Sequence, residues 1–116
     1  MIYLTILTAY LTFHFLADYP LQGQFLSDAK AGKFEPAFPR WHAMLAHTFI
    51  HAGGVYFITL YFASPLAWLF FAIELGVHWA TDRAKVNQQI TLNQDQAIHW
   101  GCKLLYVVLI GVQYNV

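Results

Sequence analysis

Charge is what this chain has least of. Only 10% of its 116 residues are Asp, Glu, Lys or Arg, six of each sign, and the net charge is zero. A soluble domain carries about 25% charged residues, so the surface that keeps such folds in water is missing. The absence of a basic excess removes the electrostatic reason to expect a nucleic-acid partner, and none is expected. The single cysteine, Cys102, excludes an intrachain disulfide. Strict two-residue alternation of polar and apolar side chains is also absent, which argues against strands. No Lys or Arg precedes the first apolar run and no small-residue cleavage site follows it, so that run is read as structure rather than a cleaved leader.

What the chain has instead is apolar surface: 59% hydrophobic residues and a mean hydropathy of +0.46. It falls into four segments, at about 2–19, 41–63, 64–82 and 93–113. Each is roughly 18 to 23 residues long, and about 20 are needed to cross the hydrocarbon core. The expected fold is all-α: one domain over residues 1–116, a four-helix transmembrane bundle with antiparallel neighbours. Ser64-Pro65 reads as an N-cap followed by proline at the first helical position. Asn93 and Gln96 read as a capping box opening the last segment. Ala72, Gly76 and Ala80 form a small-residue stripe suited to close helix packing. Two polar connections remain, about 20–40 and 83–92; in the first, Leu21, Phe25 and Ala29 suggest a short interfacial helix.

Four polar pairs interrupt the apolar segments at a spacing of four residues: His14/Asp18, His47/His51, His78/Asp82 and Asp95/His99. On a helix such pairs share one face. An up-down-up-down path brings all four to the same membrane depth. Lys30, Lys33, Arg40, Arg83 and Lys85 fall in the two connections at that end, and none falls at the other. The positive-inside rule then makes that end cytoplasmic, with both termini outside a bacterial inner membrane. Trp41, Trp79 and Trp100 at one end and Tyr3, Tyr61 and Tyr114 at the other fit interfacial belts.

Ionisable groups in apolar helices are expensive, which asks for a functional reason. His14, Asp18, His47, His51, His78, Asp82, Asp95 and His99 are candidate ligands for one or two divalent transition metals, with zinc first and manganese or iron as alternatives. A bound metal would activate water, giving metal-assisted hydrolysis of a phosphoester, with Asp18, Asp82 or Asp95 as candidate general base. Gln22, Lys85 and Gln96 are candidate substrate contacts. His42 lies on a different face and reads as an interfacial histidine. Deeper in the bundle, Glu74 and Lys103 each lie about 12 Å from the outermost acid of their helix, at roughly 1.5 Å per residue. They are positioned to meet as a buried ion pair.

The phrases His14-Phe-Leu-Ala-Asp18-Tyr-Pro-Leu-Gln22, His47-Thr-Phe-Ile-His51, His78-Trp-Ala-Thr-Asp82-Arg-Ala-Lys85 and Asp95-Gln96-Ala-Ile-His99 resemble the DUF3307 family of small bacterial and phage membrane proteins. The resemblance covers most of the chain and implies family positions at His14, Asp18, His47, His78, Asp82, Lys85, Asp95, Gln96 and His99. It implies no reaction. Two readings therefore stand: a membrane metalloprotein that hydrolyses a phosphoester, and a non-enzymatic module such as an ion or proton conductor or a phage protein that modifies the host envelope. The expected partners are the lipid bilayer and a second copy of the chain that completes the site.

Overall fold

Apolar runs interrupted by proline and glycine become five helices in the computed structural model, which describes residues 1–114. They are α1 Ile2–Asp18, α2 Gly23–Lys30, α3 Arg40–Ala63, α4 Ala67–Val86 and α5 Leu92–Gln113, with no strand among the described residues. The fold is all-α, four long helices plus the short α2. The helix α1 packs against α3 and α5, and α4 packs against the same two. This leaves α1 diagonal to α4, and every packed pair runs antiparallel. The short α2 lies against α3. The principal extents are 50 × 24 × 21 Å.

One glycine sets the distance between α1 and α3. A Cβ placed on Gly54 would stand 1.9 Å from Cε1 of Phe13, so the aromatic ring lies directly on the helix backbone. Dispersion contacts of that kind hold two helices together only where the facing residue has no side chain.

The interior is divided along its length. Ile6, Tyr10, Val55, Phe70, Tyr106 and Ile110 form a packed apolar core in one half. The other half is filled by His14, His47, His51, His78, His99, Asp82, Asp95, Lys30 and, towards the middle, Glu74 and Lys103, all buried. Outside, the pattern reverses: Leu4, Phe49, Phe57, Trp68, Leu104 and Val108 are exposed. Among the described residues one helical stretch, Arg40–Val86, is long and apolar enough to cross a membrane by length and composition, and Ile2–Asp18 is a shorter apolar helix. The helix α5 has the length, but Asn93, Gln94, Asp95, Gln96 and His99 dilute its first turns.

Several local expectations shift. The α5 cap is Thr91, whose hydroxyl accepts from the Gln94 amide at 3.1 Å while the Gln94 side chain accepts from the Thr91 amide at 2.9 Å. The capping box thus closes two residues before Asn93, and Gln96 is free of it. Ser64 and Pro65 form a 3-10 turn, Ser64–Leu66, rather than capping α4 directly; Leu66 precedes the helix. The α4 helix continues to Val86, so Arg83 and Lys85 are helical. Ala72, Gly76 and Ala80 are exposed, and a Cβ on Gly76 would meet nothing within 4 Å: the stripe lies opposite the buried face of Glu74, His78 and Asp82.

Candidate metal centre

Helical periodicity builds the centre. His14 and Asp18 close α1, His47 and His51 lie in the first half of α3, His78 and Asp82 lie near the end of α4, and Asp95 and His99 open α5. Because all four faces turn inward, the five imidazoles stack into one group. Ring centroids of His51 and His78 are 3.8 Å apart, those of His78 and His99 4.0 Å, and those of His47 and His51 4.6 Å. The His14 ring lies 5.1 Å from that of His51.

Asp18 is the carboxylate around which imidazoles gather. Its Oδ1 lies 2.9 Å from His51 Nε2 and 3.5 Å from His47 Nε2, and its Oδ2 lies 3.2 Å from His14 Nε2. The Nε2 atoms of His47 and His78 face one another at 3.3 Å. Two neutral imidazoles meet this way only if one carries its proton on Nε2, or if both lone pairs point at a shared cation. The buried Nδ1 atoms of His14 and His47 have no hydrogen-bond partner in the protein, so neither ring has its tautomer fixed from that side.

The remaining acids each have a lysine. Lys30 Nζ donates to Asp82 at 2.7 Å, Lys85 Nζ donates to Asp95 at 3.3 Å, and Lys103 donates to Glu74. Asp18 has no lysine within 4.0 Å among the described residues; its other partner is the Gln96 amide, at 3.0 Å. The centre therefore holds four carboxylates against three lysines, and Asp18 is the one without an ammonium partner. It is also the most open of the centre's four acids, its side chain 12% exposed against 2% for Asp82.

Three sets of side chains have ligand atoms mutually within 4.8 Å: Asp18, His47, His51 and His78; Glu74, His78 and His99; and Asp82, Asp95 and His99. The first is the best suited to a dication, with three imidazoles and the one carboxylate that no lysine neutralises. In the other two, every carboxylate already has an ammonium partner, and a cation would have to displace it. His14 belongs to none of the three sets; its Nε2 faces Gln96 Oε1 at 3.0 Å as well as Asp18. Gln96 links His14, Asp18 and Asp95, so its amide is engaged within the protein. Gln22 precedes α2 and lies outside this hydrogen-bond network among the described residues. His42 is exposed and stacks on Phe38 at 5.1 Å, away from the centre.

Glu74 and Lys103 do pair, and two partners join them: Tyr106, which sequence patterns did not reveal, and His78, one turn on from Glu74 on the same face. Tyr106 donates to Glu74 Oε2 at 2.8 Å, and Glu74 Oε1 lies 3.4 Å from His78 Nδ1, which ties the pair to the histidines. Lys30 is the larger omission. It reads as a connection charge, whereas it is buried on Asp82 and leaves the group of exposed basic residues at this end. The available signal was the buried face of α2, where Ala29 immediately precedes Lys30.

No curated protein and no solved structure matches the chain. A family model described as a protein of unknown function matches residues 6–115, nearly the whole bundle and all four polar pairs. The chain belongs to the DUF3307 family.

Proposed function

We propose that this chain is a bilayer-embedded metalloprotein whose centre, near the cytoplasmic face, catalyses metal-dependent hydrolysis of a phosphoester. The reversal of surface and interior supports the bilayer placement. Large apolar side chains cover the outside while ten His, Asp, Glu and Lys residues are buried, the opposite of what water selects. Trp41 and Trp100 are exposed at one end and Tyr61 and Tyr114 at the other, as interfacial belts require. Exposed Lys33 and Arg83 keep the basic bias at the end carrying the centre even without Lys30.

The metal reading rests on one observation: Asp18, His47, His51 and His78 offer four ligand atoms within 4.8 Å of one another, and their carboxylate is the one without a lysine. Any three of these N/O ligands make a catalytic zinc site that leaves the fourth tetrahedral position to water. A dication held there would acidify a bound water and polarise a phosphoryl oxygen. In the net reaction water adds across the P–O bond: hydroxyl goes to phosphorus and the proton to the departing oxygen. Asp82 and Asp95 are placed to carry that proton. Lys85, half-buried and within 3.6 Å of Asp82 and 3.3 Å of Asp95, is placed to meet the phosphate.

Protein extracted from membranes without chelator should carry about one transition-metal ion per chain by elemental analysis. Asp18→Asn and His51→Ala should lose it. The metal-loaded protein should cleave bis(p-nitrophenyl) phosphate, and the two variants should not. Metal-free wild type after mild purification would end the reading. A proton-relay reading has one observation in its favour, the line from His78 through Glu74 to Tyr106. That line ends against Phe70, which stacks on Tyr106 at 4.5 Å, and against Ile6 and Ile110. This apolar plug favours a centre open at one face over a conductor.

A further inference from the structure

All four lysines of this chain are paired with carboxylates: Lys30 with Asp82, Lys33 with Asp28, Lys85 with Asp95 and Lys103 with Glu74. The only two arginines, Arg40 and Arg83, form no salt bridge among the described residues, and both line one pocket of about 430 Å³. It lies where α3 begins and α4 ends, outside the metal centre. Glu35, Trp41, Met44, Trp79, Val86 and Asn87 complete its lining. The Glu35 carboxylate already accepts from the Arg40 backbone amide at 3.1 Å, while the Arg40 guanidinium packs on Gly32, donates to the Ala31 carbonyl at 3.4 Å and keeps its buried Nε without a partner. Two guanidinium groups against one engaged carboxylate leave the lining cationic.

Trp79 also lines a second hollow, of about 440 Å³, which is apolar. Leu45, Phe71, Ala72, Leu75 and Gly76 form the rest of it. Here the small-residue stripe finds a use. Ala72 and Gly76 are exposed, and a Cβ on Gly76 would meet nothing within 4 Å, so the stripe leaves a furrow running from Trp79 along the outer face of α4. A cationic hollow at the interfacial end of α3 and α4 thus adjoins an apolar furrow through one shared tryptophan. That is the shape and polarity of an anionic glycerophospholipid, phosphate outermost and acyl chain beneath.

We propose that the outer face of α3 and α4 binds one anionic phospholipid, its phosphate on Arg40 and Arg83 and an acyl chain in the furrow at Ala72 and Gly76. Arginine suits the headgroup because its planar fork presents paired donors to phosphate oxygens. The furrow selects a lipid over a soluble phosphate ester, since it would otherwise remain an unfilled apolar hollow. The site rests on the bilayer placement proposed above and is independent of the metal.

Native mass spectrometry of the detergent-purified full chain, titrated with phosphatidylglycerol, tests it. Phosphatidylcholine with the same acyl chains and inorganic phosphate are the comparison ligands. Phosphatidylglycerol should bind about tenfold more tightly than phosphatidylcholine, the worth of roughly one charge-assisted contact. Inorganic phosphate at equal concentration should not displace it. Arg83→Gln, at an exposed position, should weaken binding about tenfold, and Gly76→Leu should weaken it by filling the furrow without lowering the unfolding temperature. His51→Ala should leave lipid binding unchanged even where it abolishes metal. Equal binding of the two lipids, or indifference to both Arg83→Gln and Gly76→Leu, would overturn the proposal. So would displacement by inorganic phosphate, or a dimer that Gly76→Leu dissociates while lipid binding persists. Release from cells without detergent would instead remove the bilayer reading beneath it.

Discussion

The Lys30 ammonium lies 2.7 Å from Asp82 Oδ2, joining a short connecting helix to the end of α4 inside the bundle. Both side chains are nearly inaccessible to solvent. A buried pair contributes little over a well-packed apolar substitute, but removing one member strands the other charge. Lys30→Met should therefore destabilise the protein by about 3–5 kcal/mol, read as a fall in the midpoint of thermal unfolding in detergent. An unchanged midpoint would mean that α2 does not dock through this contact.

The contact also shows where sequence reading stops. Helical spacing reveals which residues share a face, and for His14/Asp18, His47/His51, His78/Asp82 and Asp95/His99 the shared face turns inward. It does not reveal which connection folds back on the bundle. Lys30 stands near Asp28 and Lys33, so it reads as one more solvated charge of a loop; Asp28 and Lys33 do pair with each other at 2.6 Å. The cap of α5 was misplaced by two residues because Thr91/Gln94 and Asn93/Gln96 carry equally good capping chemistry. Only the extended backbone of Thr91, with ψ of 165°, selects the first. The stripe at Ala72, Gly76 and Ala80 was legible as small, but spacing alone could not say that it faces outward rather than a neighbouring helix.

Gly54 and Phe13 give a prediction whose sign reverses with background. Gly54→Ala gains up to about 1 kcal/mol of helix propensity. It also drives a methyl into the Phe13 ring, and overpacking costs about 1–3 kcal/mol. The substitution should be net destabilising in the wild type. In a Phe13→Ala background, where the methyl has room, it should be neutral or stabilising. A double-mutant cycle of unfolding free energies measures the difference, and additive effects would mean that α1 and α3 are not held together at this crossing.

Metal should act on stability only through Asp18 and its imidazoles. Anything that binds the folded state alone stabilises it, by about 2.7 kcal/mol at a hundredfold excess over the dissociation constant. Zinc should raise the unfolding midpoint of wild-type protein and a chelator should lower it. Asp18→Asn should abolish this response. Asp95→Asn should retain it, because Asp95 lies outside the set formed by Asp18, His47, His51 and His78. Equal loss in both variants would argue for an ion shared among the three candidate sets.

Glu74 is the point at which the polar centre meets the apolar half, and its partners predict strong non-additivity. Lys103, Tyr106 and His78 all engage its carboxylate. Glu74→Leu alone leaves a buried ammonium, and Lys103→Met alone leaves a buried carboxylate that only Tyr106 and His78 still solvate. Each should cost about 3–5 kcal/mol. The double substitution removes both charges together and should cost far less than the sum, with a coupling of about 3 kcal/mol at the upper end of the range for contacting residues. Tyr106→Phe should cost only about 1.5–3 kcal/mol, the worth of one hydrogen bond to a charged group. If the two single substitutions were mild and additive, the pair would be open to water. The plug formed by Phe70, Ile6 and Ile110 would then not seal the centre, and the conductor reading would regain its ground.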